Sequence, residues 1–276
     1  MSEPMWGGEQ VDLEAYFARI GHQGGTAPTV ATLRALHRAH VAAIPFENLD
    51  VALGRNVPLD MKSLQDKLVR QRRGGYCYEQ NSLLAAVLER LGFAVSARGA
   101  RNRTRGPGRL PVTHALLVVA VEGEQWLVDA GFGAQGVLEP VALRDSVRVE
   151  QGGWTFGIGR EDEGITVLKS LRPEGWKDLY AFAPQALYPA DFTVMNHYSS
   201  THPLSKFVGQ IVAQRHLPGE RVTLVRDELT VVRAEGSSDQ RTVSVRDLPG
   251  ILQSVFGIEL GPEDSAELVR VYSAGV

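Results

Sequence analysis

The segment Arg73-Gly74-Gly75-Tyr76-Cys77-Tyr78-Glu79-Gln80-Asn81 decides how the rest of the chain is read. Two adjacent glycines let the backbone turn sharply and let another part of the molecule approach closely. Beyond them Leu83, Leu84, Val87, Leu88 and Leu91 recur at helical spacing, and Gly92 is a natural stop. Cys77 therefore falls in the first turn of a helix. The partial positive charge there favours an anion, and the thiolate is the reactive form of cysteine. A lone cysteine is most often a buried small hydrophobe, so its surroundings must decide. Cys77 is the only cysteine, which excludes an intramolecular disulfide and any zinc site with two or more Cys ligands.

A nucleophile needs a base, and the base needs an orienting group. Of seven histidines, His37 and His40 read as helix-surface or core residues. His114 stands apart because it opens the apolar run HALLVVAV. The next apolar run, QWLVDAG, contains Asp129, a carboxylate costly to bury unless paired. If Glu122-Gly123 is a two-residue hairpin loop, Val121 pairs with Glu124 and His114 lies opposite Gly131. Asp129 then shares a face with His114 as a diagonal neighbour, about 7–8 Å away at the backbone. The expectation is a Cys77–His114–Asp129 triad, with Asp129 orienting His114 and His114 taking the Cys77 proton.

Outward from this centre, the first third reads as helical. Leu13, Tyr16, Phe17 and Ile20 form a stripe closed by Gly21. Further helices are expected after Thr29, ending before Pro45, and after Asp60 as N-cap. From Phe93 to about Leu187 the runs are short, β-branched and broken by glycine, as in an antiparallel sheet or barrel. Asp191 is placed as the cap of a short helix. Strands FVGQIVAQ, RVTLV and LTVVRA then precede short helices near Leu248–Phe256 and Glu263–Tyr272. Three subdomains sharing interfaces are expected, over residues 1–95, 96–205 and 206–276.

The 276 residues carry a net charge of −3, with 43% hydrophobic and 22% charged residues. The chain as a whole lacks the basic footprint of a nucleic-acid binder. No stretch approaches the ~20 apolar residues that span a bilayer. The N-terminus lacks the basic start and apolar core of a signal peptide, so the expected location is cytoplasmic, without membrane partners. Arg98, Arg101, Arg103, Arg105 and Arg109 cluster on what reads as a Gly/Pro-rich connection. They suit phosphate recognition or, equally, a solvated loop. Glu79 is expected to turn away from Cys77 and bond to Arg73.

RGGYCYEQN, THALLVV and VDAGFG, in this order, resemble the arylamine N-acetyltransferases. So do Pro45-Phe46-Glu47-Asn48 upstream and the segment Ser200 to Phe207 downstream. The resemblance implies an α+β fold: an N-terminal helical bundle carrying Cys77, a central antiparallel β-barrel carrying His114 and Asp129, and a C-terminal α/β lid. Its core would be like that of cysteine proteases. It implies acetyl-CoA as co-substrate, no metal, and ping-pong transfer through a Cys77 thioester to an arylamine or arylhydrazine nitrogen. Phe46, Phe132 and Phe207 would line the acceptor pocket, although each alone also reads as core. Gly131-Phe132-Gly133 would let the backbone pass close to CoA, and Thr113 would touch its arm. A homodimer is left open. An amide synthase or a cysteine hydrolase using the same triad is the alternative.

Overall fold

The computed structural model describes residues 4–106 and 110–273. Helix α1, Leu13–Ile20, starts where the Asp12 side chain accepts the Ala15 N–H and stops at Gly21 in the left-handed region. Helix α2, Val30–Ala43, is capped by Thr29. Strand β1, Phe46–Glu47, and the short helix α3, Leu49–Ala52, follow. Helix α4, Met61–Gln65, is capped by Asp60 and runs into a wide turn, Asp66–Arg70. Helix α5, Cys77–Arg90, ends before Gly92 at φ 84°. Helices α1, α2, α4 and α5 were expected from the sequence; α3 and β1 were not.

The next elements are β2 (Ala94–Asn102), β3 (His114–Val121), β4 (Glu124–Val128), β5 (Val141–Ala142), β6 (Arg148–Gln151), β7 (Trp154–Arg160), β8 (Thr166–Arg172) and β9 (Gly175–Leu187). They make one eight-stranded antiparallel sheet in the order β5-β4-β3-β2-β9-β8-β7-β6, curled nearly into a barrel. Leu116, Leu127, Phe156, Leu168 and Tyr180 from distant strands of the sheet share its core. Val121 pairs with Glu124 across Glu122-Gly123, both at positive φ, so the assumed hairpin register forms as far as Leu117–Val128; there β4 ends, and the expected pairing of His114 with Gly131 is not made.

Helix α6, Pro189–Thr201, begins one turn earlier than expected: Asp191 is not the cap but accepts the Tyr188 N–H from the third helical position. Strands β10 (Val212–Leu217), β11 (Glu220–Val225), β12 (Glu228–Arg233) and β13 (Ser238–Thr242) form a second sheet. The run FVGQIVAQ is strand only from Val212; Phe207 and Val208 lie in the preceding turns. Helices α7, Leu248–Ile251, with a turn to Phe256, and α8, Pro262–Ser273, cover one face through Leu248, Leu252, Phe256 and Leu268. Strand β1 pairs with β10, so the N-terminal third contributes an edge strand to the C-terminal sheet. No described helix is long and apolar enough to cross a membrane.

Candidate active site

The turn before α5 is built by close approach. Gly74 and Gly75 both have ordinary φ, and the left-handed residue is Arg72 at φ 54°. A Cβ on Gly74 would fall 2.1 Å from the Pro45 carbonyl oxygen. The Gln80 side-chain amide donates to the carbonyls of Pro45 at 2.9 Å and Gly75 at 3.0 Å. Its oxygen meets His40 Nε2 at 2.8 Å, and His40 Nδ1 meets the Tyr16 hydroxyl at 2.8 Å. Burial holds His40 neutral, with its pKa pushed down to about 3. Helix α2 thereby fixes the loop that delivers Cys77.

A buried charge cluster braces the same loop from the other side. Arg73 pairs with Glu47 at 2.8 Å, and Lys67 bridges Asp50 at 2.5 Å and Glu79 at 2.6 Å. Glu79 does turn away from Cys77, but it bonds to Lys67 and to the Tyr76 N–H at 3.0 Å, not to Arg73. The reason is separation by sign: Arg73 is already committed to Glu47 and Asp50. Burial pushes the Glu79 carboxyl up to about 7 despite Lys67.

Cys77 is 3% exposed and opens α5. His114 Nε2 lies 2.7 Å from Asp129 Oδ2, and both residues are buried. Burial alone would lower the His114 pKa; the Asp129 carboxylate outweighs it, helped by the nearby Cys77 side chain, and the value is pushed up to about 9. Burial opposes ionisation of Asp129, yet His114, Asn81 and the Gly131 N–H together hold its pKa below the usual carboxylate range. Cys77, His114 and Asp129 are therefore brought together.

Three further residues shape this centre, and no sequence pattern had singled any of them out for a role. Asn81 Nδ2 donates to Asp129 Oδ1 at 3.1 Å and to the Ala115 carbonyl at 2.7 Å, while its oxygen accepts the Ala130 N–H at 3.1 Å. It lies four residues after Cys77, one helical turn along the same face, so spacing could have flagged it. His37 accepts the Asp129 backbone N–H at 3.1 Å. Tyr180, wholly buried, packs its ring 4.9 Å from His114. Nothing in sequence spacing pointed to those two.

The remaining predicted residues divide into two aromatic walls. Phe132 meets His114 edge-on at 5.0 Å and Tyr180 at 4.8 Å. Phe207 lies 5.9 Å from Phe46 and 5.5 Å from Tyr76. Gly131 donates its N–H to Asp129 Oδ1 at 2.9 Å. Gly133, at φ 83°, has no room for a side chain because Gln214 Oε1 would be 1.8 Å from its Cβ. Thr113 presents its carbonyl to the Tyr78 hydroxyl at 2.9 Å. A cavity of ≈ 430 Å³ opens among Thr113, Asn102, Ser199, Phe207 and two cations, Arg105 and Lys206. A larger cavity, ≈ 960 Å³, lies away among Trp6, Met61, Ser82 and Phe192 and touches none of these candidates.

The arginine cluster is not one loop. Arg98 and Arg101 are in β2, and Arg103 is spent on Glu161 at 2.6 Å and Asp178 at 3.3 Å. Arg109 lies outside the described residues. Among the described arginines of the cluster, only Arg105 lines the cavity: it lies beyond the end of β2 at Asn102, whereas Arg101 donates to the Leu110 carbonyl and Arg103 is held by its acids.

A family model described as N-acetyltransferase matches residues 29–265. The arylamine N-acetyltransferase / N-hydroxyarylamine O-acetyltransferase of Salmonella typhimurium is 38% identical over 95% of both chains. The arylamine N-acetyltransferase of Escherichia coli is 38% identical over 92% of this chain and 90% of its own. Among solved structures, the arylamine N-acetyltransferase of Nocardia farcinica superposes with a TM-score of 0.91 at 42% identity, covering 96% and 95% of the two chains. That of Mycobacterium marinum in complex with CoA gives 0.89 at 32% identity, covering 95% and 99%.

Proposed function

This chain belongs to the arylamine N-acetyltransferase family, and on that footing we propose that it moves an acetyl group from acetyl-CoA, through a thioester on Cys77, to the nitrogen of an arylamine or arylhydrazine. Acetyl-CoA is the co-substrate, and Cys77, His114 and Asp129 are the catalytic residues. The observation that carries the reading is the 2.7 Å His114–Asp129 pair, set beside a buried Cys77 at the start of α5.

In the first half-reaction the Cys77 sulfur attacks the acetyl carbonyl carbon of acetyl-CoA. The negative charge that develops on oxygen needs donors, and the first-turn N–H groups of α5 have no intrahelical acceptors. The C–S bond to CoA breaks, protonated His114 supplies the proton to the departing sulfur, and acetyl-Cys77 remains. In the second, the amine nitrogen attacks the thioester carbon, His114 takes the nitrogen proton, and Cys77 leaves as thiolate. The pKa of about 9 at His114 suits the donor role first. The Asp129 carboxylate on Nε2 leaves Nδ1 for the sulfur and the substrates. Nearly complete burial of Cys77 keeps water from the thioester until the amine arrives.

For binding, Phe46, Phe132 and Phe207 are assigned to the aromatic acceptor. Thr113, Gly131 and Gly133 are assigned to the CoA arm, with Arg105 and Lys206 at the cavity mouth for its phosphates. The deciding experiment is the intact mass of the protein mixed with acetyl-CoA alone. A gain of one acetyl group, absent from Cys77→Ser, is expected; no gain, or a gain in the serine variant, would reject the reading.

A further inference from the structure

We propose that His37 is a positioning residue of the acetyl transfer: its neutral ring clasps both ends of the loop Asp129 to Leu138. The proposal rests on the reading of Asp129 and His114 given above.

Strand β4 ends at Val128, paired with Leu117 of β3, and β5 begins only at Val141. β4 and β5 are adjacent and antiparallel, with Leu127 opposite Val141. The chain therefore makes an excursion of about a dozen residues between two neighbouring strands, longer than such connections usually run. That excursion carries three contacts of the site: the Asp129 carboxylate on His114, Gly131 against Cys77, and Phe132 on the His114 ring.

Both ends of the excursion meet one side chain from α2. The Asp129 backbone N–H is the first beyond the strand ladder, and it donates to His37 Nε2 at 3.1 Å. The Leu138 carbonyl lies 3.1 Å from His37 Nδ1. A backbone N–H can only donate and a carbonyl can only accept, so the proton must sit on Nδ1 and Nε2 must be bare. The ring is wholly buried. Burial lowers its pKa, against the opposing pull of Asp129 and Glu139. The neighbouring rings His40 and His216 are likewise held low.

The clasp is distinct from the hold on the carboxylate. Asn81 ties Asp129 Oδ1 to α5, whereas His37 ties the Asp129 backbone to α2. Gln151 secures the far end, accepting the Leu138 N–H at 2.8 Å. With His37 removed, the carboxylate remains bonded but its backbone anchor is gone. The consequence falls on the direction of the His114 ring rather than on substrate binding, since His37 lies behind the loop.

The test compares His37→Phe, which keeps a ring without nitrogens, with His37→Gln, which keeps an acceptor and a donor. For Phe, kcat should fall about 10²-fold, the usual cost of an ångström-scale misplacement, with the apparent KM for acetyl-CoA little changed. The Asp129 amide should exchange its hydrogen faster, while amides in the middle of β3 keep their protection. Gln should restore at least part of both. In the unaltered protein, imidazole ¹⁵N spectra near neutral pH should show His37 protonated on Nδ1 alone, a readout independent of whether the variants fold. A proton on Nε2, wild-type kcat in folded His37→Phe, unchanged Asp129 exchange, or a loss of activity matching only a loss of folded protein would each overturn the proposal. Faster exchange without loss of kcat would overturn it too, while the fate of Cys77→Ser separately decides the reading beneath it.

Discussion

Gly131 and Cys77 are packed backbone to backbone: a Cβ on Gly131 would lie 2.4 Å from the Cys77 Cα and 3.0 Å from its Cβ. The loop after β4 thus rests directly on the start of α5. Gly131→Ala must push one of them away. We expect a stability loss of about 1–3 kcal/mol, typical of overpacking, and a fall in kcat of about 10²-fold. Turnover measured well below the unfolding temperature checks this; normal kcat in the alanine variant would mean that the spacing is not critical.

Asp129→Asn should leave a folded protein that acylates slowly, because an amide can hold the wrong His114 tautomer. A loss of about 10²–10⁴ in single-turnover acylation is the scale of general acid–base help. Near-normal acylation in a folded variant would remove Asp129 from the mechanism.

The same pair predicts a pH dependence of stability. His114 titrates near 9 when folded and near its ordinary 6.5 when unfolded, so its contribution is complete below about pH 6.5 and is lost as pH rises through 9. Asp129 is depressed, so its contribution is present above its ordinary 3.8 and is lost as pH falls through its lower folded value. The stability advantage over Asp129→Asn should therefore be widest between about pH 4 and 6.5 and shrink toward pH 9. Denaturant titrations across that range test it; an advantage that grows with pH would contradict the pairing.

Arg105→Ala should raise the apparent KM for acetyl-CoA and make it less sensitive to salt, because screening weakens such contacts. Transfer from the neutral donor p-nitrophenyl acetate should be unchanged. Arg103→Ala should alter neither, since its guanidinium is occupied by Glu161 and Asp178. Equal losses with both donors would point to damaged folding instead.

Arg73→Met should cost about 3–5 kcal/mol, because it strands Glu47, which has no exposure at all, as a buried unpaired carboxylate. Adding Glu47→Gln should recover much of that loss. Chemical denaturation of the single and double variants measures both; a single-variant loss below 1 kcal/mol would show that water reaches the cluster.

The sequence by itself determined most of the elements and singled out Cys77, His114 and Asp129 as candidates. Leu13 to Ile20, bounded by Asp12 and Gly21, and the helix begun at Cys77 are local decisions, made by periodicity and caps. The register of β3 on β4 was legible because Glu122-Gly123 fixes a two-residue turn, and pleat parity carries it along the ladder to Leu117 and Val128; Asp129 meets His114 from just beyond that ladder. Long-range contact was not legible. That Phe46-Glu47 joins the C-terminal sheet through β10 has no signature in a two-residue strand. That Glu79 chooses Lys67 over Arg73 depends on which acids already surround Arg73. His37, read as an ordinary helix or core histidine, meets Asp129 across 92 residues of chain. Hydrophobic spacing and turn chemistry act between near neighbours and survive in one dimension. The pairing of buried charges and the satisfaction of buried N–H groups act between whichever groups folding brings within about 3 Å, so only the tertiary structure decided them.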